Sequence, residues 1–183
     1  MVPMGARLVL SLIALSSTVT AQGPETQPAR AAILSAAIDI VQKARYCTFI
    51  TIGEDGQPQA RMVDPLAPDS AFTTWIATNP LTRKVDHLRR NPRATLSCFD
   101  SASSSYVTIL GRGELVSDAA EKQRHWKADW SAIYPKGARG NDVVLIRLTP
   151  SRLEIVSESR GMVGDPKTWL PVSIEFPQPK RPD

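Results

Sequence analysis

Residues 46–66 read Tyr-Cys-Thr-Phe-Ile-Thr-Ile-Gly-Glu-Asp-Gly-Gln-Pro-Gln-Ala-Arg-Met-Val-Asp-Pro-Leu. A β-branched and aromatic run fills 46–52, and a second strand pattern covers 59–66. Between them Gly53-Glu54-Asp55-Gly56-Gln57-Pro58 has the chemistry of a hairpin turn. Strands joined so tightly run antiparallel, which turns the fold away from a parallel sheet.

Downstream, Ala67-Pro68-Asp69-Ser70 is a turn and 71–77 a third strand, completing a meander. A short helix over 81–90 is closed by Asn91-Pro92. Strands resume at 94–99 and 106–116, where Gly111 and Gly113 predict a bulge or sharp bend. Asp118 with Glu121 suits a helix N-terminus, so a helix is expected to about Ile133. The last two strands are read at 143–148 and 152–157, joined at Thr149-Pro150-Ser151. Upstream, Ile33, Ala37, Ile40, Val41 and Ala44 recur at helical spacing and predict an amphipathic first helix over 29–44. Short strands with helices between only some of them favour a closed or partly closed antiparallel barrel, an α+β fold that is mainly β.

The chain has 183 residues, a formal net charge of +4, 42% apolar residues and two cysteines. That excludes collagen-like, disulfide-stapled and disordered classes and predicts one globular domain. Residues 1–21 begin with a single Arg7, continue through an apolar run over 8–15 and end in Val19-Thr20-Ala21. This order is that of a secretory signal, too short for a comfortable membrane span, and predicts an exported, periplasmic or secreted protein with no stable membrane insertion after cleavage. An uncleaved anchor or a misassigned start, which would leave the protein cytoplasmic, is the alternative. Residues 22–28 read as a polar linker, 29–160 as the domain and 161–183 as a C-terminal tail.

The stretch with the most chemistry is Ala77-Thr78-Asn79-Pro80-Leu81-Thr82-Arg83-Lys84. A strand ends, a turn follows, and a helix opens with a hydroxyl and two cations, which oppose the helix dipole there. An anion at the helix start would resolve that conflict, since free N–H groups, Thr82, Arg83 and Lys84 would converge on it. The alternative is a solvated basic face continued by Arg89, Arg90 and Arg93. The glycines of a P-loop or dinucleotide loop are absent.

In joint order, Arg61-Met62-Val63, the 78–84 stretch, Asn91-Pro92-Arg93-Ala94-Thr95-Leu96 and Val107 through Gly111 resemble the FMN-binding split barrel of the pyridoxamine 5'-phosphate oxidase superfamily. The segment from Asp118 through Trp126, Trp130 and Tyr134-Pro135-Lys136-Gly137 is most similar to its general stress protein branch. The resemblance implies a homodimer of six-stranded antiparallel split barrels with flanking helices and two flavins at the subunit interface. It implies that Arg61, Arg83 and Lys84 hold the flavin phosphate with Thr82 as hydroxyl donor. Met62 and Val63 would border the flavin ring through their backbone, and Ala77 and Thr78 would lie against the ring and ribityl chain. Tyr106 falls where the oxidase places a glutamine from the partner subunit. The cofactor implied is FMN, with FAD and the deazaflavin F420 as alternatives.

Where the oxidase reads its substrate's phosphate with a lysine, this chain has Asp64-Pro65-Leu66, and its tail Trp169-Leu170-Pro171-Val172 has no Arg-Leu-His element. A true pyridoxamine phosphate oxidase is therefore not expected. The reading is an FMN-dependent oxidoreductase of unknown substrate, with a non-catalytic flavin-binding or stress-protective protein as the alternative. Nucleic-acid binding through 83–93 is disfavoured by the modest charge and the lack of interleaved aromatics.

His87 and His125 are isolated and read as structural rather than as metal ligands. Cys47 and Cys98 lie in strands, where cysteine behaves as a small hydrophobe, so two buried free thiols are expected, a disulfide being open to an exported protein. Trp75 reads as barrel packing. Trp126 and Trp130, four apart, read as core or dimer packing, or alternatively as a cover for the flavin.

Overall fold

The computed structural model describes residues 29–177, so the expected signal and linker lie outside the described residues. Helix α1, Arg30–Ala44, buries Ile33, Ala36, Ala37, Ile40 and Val41 and packs on two strands of the sheet, as its periodicity requires. Arg45 then turns the chain with a left-handed φ of 56° into β1, Cys47–Ile52.

The remaining elements are β2, Pro58–Val63; β3, Thr74–Thr78; α2, Arg83–Arg90; β4, Arg93–Asp100; β5, Ser105–Val116; α3, Ala119–Arg124; β6, Val144–Val156; and β7, Val172–Glu175. The strands form one antiparallel sheet in the order β2-β1-β4-β5-β6-β3, with β7 added against β6. This six-stranded path curls on itself. Its two edges approach at the Pro65–Ile76 bridge, where the Leu66 N–H donates to the Trp75 carbonyl at 2.8 Å. The result is the split barrel expected, mainly β with flanking helices.

Inward positions along β1, β4, β5 and β6 supply the core: Phe49, Leu96, Ile109, Leu153 and Ile155 are fully buried, with Ile40 of α1 among them. A smaller cluster of Trp75, Trp130 and Leu145 sits beside it.

The bulge expected near Gly111 is present, because the β5–β6 register shifts between Leu110 and Gly111. A Cβ on Gly111 would lie 2.1 Å from the Thr149 carbonyl oxygen, so only glycine fits. A Cβ on Gly113 would meet the Leu88 side chain at 2.8 Å, so this second glycine lets α2 seat against β5.

Several expectations are corrected. Thr149-Pro150-Ser151 does not break the last strand: β6 runs through it, because the bulge absorbs Ser151, whose Oγ donates to the Leu110 carbonyl. The third strand starts three residues later than read, since Asp69 Oδ1 accepts from the Ala71 and Thr73 N–H groups and holds a turn around Phe72. Asp118 does cap α3, but the helix ends at Arg124; a 3-10 turn over Ala128–Ala132 then delivers Trp130 into the small cluster. Residues 161–183, read as tail, include β7.

Cys47 and Cys98 are not free thiols but a disulfide between β1 and β4. They extend the register beyond Thr48 and Ser97 with Cα atoms 4.5 Å apart, the spacing of a non-hydrogen-bonded cross-strand pair. Two buried cysteines placed opposite each other are within bonding reach, which strand assignment alone did not reveal.

Candidate functional site

The end of β3, the 79–82 turn, the start of α2 and the middle of β2 converge. Asn79 Oδ1 accepts from the Leu81 N–H at 2.8 Å and fixes the turn. Thr82 takes the N-cap position of α2 in an extended conformation, yet its hydroxyl donates to the Asn79 carbonyl at 2.9 Å and does not cap the helix. The first turn of α2 is thus without a side-chain cap, and its N–H groups point toward whatever sits at the helix start.

Lys84 folds back over this turn. Its Nζ donates to Thr78 Oγ1 at 2.9 Å and reaches Thr82 Oγ1 at 3.5 Å. From β2, Arg61 Nη1 donates to Thr51 Oγ1 at 2.6 Å and to the Phe49 carbonyl at 3.3 Å. Among the described residues, none of Arg61, Arg83 and Lys84 has a carboxylate within ion-pair distance, although Arg89, Arg90, Arg124 and Arg147 each do. Burial and then the Arg83 charge pull the Arg61 guanidinium below its ordinary value. Burial and then Arg61 do the same to the Lys84 ammonium. The Arg83 charge thus acts against Arg61, and the Arg61 charge against Lys84, with no carboxylate ion-paired to any of the three among the described residues.

A cavity of about 540 Å³ is lined by Arg83, though by neither Arg61 nor Lys84, together with His87, Arg90, Asp86 and Gln59 and with Glu54 and Asp55 of the β1–β2 hairpin. Glu54 is engaged by Arg90 at 3.1 Å.

The other expected site residues fall in three places. Val63 faces the core, while Met62 projects from the opposite face of the sheet and is 61% exposed, as strand alternation dictates. Ala77 packs on the Trp75, Trp130 and Leu145 cluster, and Thr78 is buried beneath Lys84. Tyr106 is not brought to the cations: it pairs with Phe99 and Val156 and lines a different cavity of about 480 Å³ with Val163, Pro166 and Trp169.

Sequence reasoning missed Thr51 and read His87 as structural without a partner. Thr51 is fully buried, and its Oγ1 lies 2.9 Å from His87 Nδ1. Burial first, then Arg61, Arg83 and Arg90, push the His87 imidazole below its ordinary value, with Asp86 acting weakly the other way. The available signal was a polar Thr51 at an inward position between the apolar neighbours of its strand. Trp130 is core: its Nε1 donates to the Asp64 carbonyl at 3.2 Å, and Trp126 meets it edge-on at 5.6 Å. His125 stacks on Trp75 with centroids 3.9 Å apart. Among the described residues, no cluster of His, Cys, Asp or Glu could hold a metal ion, and no helix is long and apolar enough to cross a membrane.

A family model described as pyridoxamine 5'-phosphate oxidase matches residues 33–157. No curated protein matches the chain. Among solved structures, a Clostridium acetobutylicum protein related to general stress protein 26 is 21% identical, with a TM-score of 0.66 over 79% of this chain and 94% of that one. General stress protein 26 from Bacillus anthracis is 16% identical, with a TM-score of 0.61 over 79% and 98%. A pyridoxamine 5'-phosphate oxidase-related, FMN binding protein from Nostoc punctiforme is 17% identical, with a TM-score of 0.55 over 84% and 99%. At these identities the structures establish a shared fold.

Proposed function

The chain belongs to the pyridoxamine 5'-phosphate oxidase family, and from that membership we propose that it binds a flavin, FMN, with the phosphate held by Arg61, Arg83 and Lys84 and the Thr82 hydroxyl. The observation that carries this reading is the group of three cations that, among the described residues, have no acidic partner, at a helix start without a side-chain cap. A phosphate dianion satisfies the cations, the dipole and the free N–H groups together. In this reading the backbone of Met62 and Val63 borders the flavin ring, Ala77 and Thr78 face the ring and ribityl chain, and Tyr106 reaches the cofactor of a second copy.

The functional unit is then a homodimer. The outward sheet face supports it, since Met62, Phe99 and Tyr46 are large, apolar and exposed there. The Cys47–Cys98 disulfide supports an exported protein, because such bonds persist in oxidising compartments.

The reaction class we infer is flavin-dependent oxidoreduction, in which a bound flavin supplies the electron transfer and the protein supplies position and electrostatics. The substrate is not pyridoxine phosphate. In the segment where the oxidase has a lysine this chain reads Asp64-Pro65-Leu66, which carries no cation, and the Asp64 carboxylate is engaged by Lys127 at 2.5 Å. A visible flavin spectrum on protein titrated with FMN tests binding. Anaerobic reduction of that bound flavin by NAD(P)H or a candidate substrate separates an enzyme from a binder. Failure to bind FMN, FAD or deazaflavin contradicts the reading.

A further inference from the structure

We propose that Thr51 and His87 are positioning residues for Arg61, forming a neutral hydrogen-bond relay that holds the guanidinium in place without discharging it. The inference rests on the phosphate reading of the site.

The donor and acceptor inventory sets the direction of the first bond. A guanidinium only donates, so Thr51 Oγ1 accepts from Arg61 Nη1 at 2.6 Å. That bond leaves the hydroxyl one proton and a second lone pair to offer His87 Nδ1, 2.9 Å away. In the relay proposed, the proton goes to Nδ1, so His87 is the neutral tautomer with its own proton on Nε2. Its surroundings enforce neutrality. Arg61 from β2 and Arg83 and Arg90 from α2 face the buried ring, against Asp86 of α2, with Glu54 and Asp55 of the hairpin on the same cavity.

The choice of residue types follows from what the site must do. A buried arginine is ordinarily anchored by a carboxylate, but a carboxylate here would compete with an incoming phosphate for the same guanidinium. A hydroxyl and a neutral imidazole supply lone pairs with no formal charge. The relay also crosses three elements, β1, β2 and α2. It thereby sets the position of Arg61 relative to Arg83 and Lys84, four and three residues before His87 on the chain.

Two measurements test this. In the protein without flavin, long-range nitrogen–proton NMR of His87 should show a proton on Nε2 and a bare Nδ1 at neutral pH; a proton on Nδ1 overturns the relay whether or not flavin binds. In titrations at neutral pH, Thr51→Val should weaken FMN about tenfold while leaving riboflavin affinity unchanged, and Thr51→Ser should restore FMN. Adding Thr51→Val to Arg61→Ala should produce no further loss, because the relay acts only through that arginine. As pH falls and His87 gains a proton on Nδ1, the difference between wild type and Thr51→Val should shrink toward nothing. Equal losses of FMN and riboflavin, or full additivity with Arg61→Ala, would mean that Thr51 serves only packing. Wild-type protein that binds no FMN would instead overturn the phosphate reading, and the tautomer would still decide the relay.

Discussion

Lys84 Nζ donates to Thr78 Oγ1 at 2.9 Å, tying the second residue of α2 to the last residue of β3 across the 79–82 turn. The bond holds the ammonium close to Arg61 although the Arg61 charge disfavours its own. Lys84→Ala should therefore change the stability of the flavin-free protein by less than about 1 kcal/mol, since the lost bond and the relieved repulsion oppose each other. The same substitution should weaken FMN by roughly tenfold to a hundredfold, the worth of one charge-assisted contact. Denaturant unfolding beside an FMN titration makes the comparison.

His87 gives the fold an acid-sensitive step. Its folded-state value lies below the unfolded value near 6.5, so the unfolded chain binds more protons in the interval between them. Stability from this group is fully present above about pH 6.5 and declines as pH falls from there through the depressed folded value. His87→Gln should flatten that part of the stability curve, measured as urea midpoints across the acid range.

The Cys47–Cys98 bond closes a loop of sequence separation 51. Chain entropy puts its contribution at about 4 kcal/mol, so reduction should lower the unfolding midpoint markedly. Alkylation without reductant should leave both cysteines unlabelled, and labelling of both in the native protein would contradict the assignment.

Gly111 and Gly113 should respond differently to alanine. A methyl at Gly111 meets the Thr149 backbone and should destabilise by about 1–3 kcal/mol. A methyl at Gly113 meets only the movable end of Leu88, so stability should fall less, while the displaced α2 should bind FMN a few-fold more weakly. Thermal unfolding and FMN titration of the two variants separate these effects.

What could be read in advance follows from how local the physics is. The hairpin around Gly53–Pro58 and the bulge at Gly111 are set by nearby residues and appear where expected, while α2, read from Leu81, starts two residues later at Arg83 because Thr82 takes the N-cap position. The course of β6 through Pro150 depends on pairing with β5, against which Ser151 bulges, so Thr-Pro-Ser read as a turn. The early end of α3 depends on Trp130 and His125 finding the distant Trp75. The disulfide and the Thr51–His87 contact each join residues far apart in sequence, and pattern within a strand carries no information about which distant residue lies opposite.

The most direct measurement compares FMN with riboflavin on the wild-type protein and on Arg61→Ala and Lys84→Ala, by calorimetric titration. If the three cations hold the phosphate, FMN should bind the wild type at least about a hundredfold more tightly than riboflavin, and the gap should narrow by tenfold or more in each variant. Equal affinity for the two flavins in the wild type, or an FMN preference untouched by both substitutions, would contradict the account.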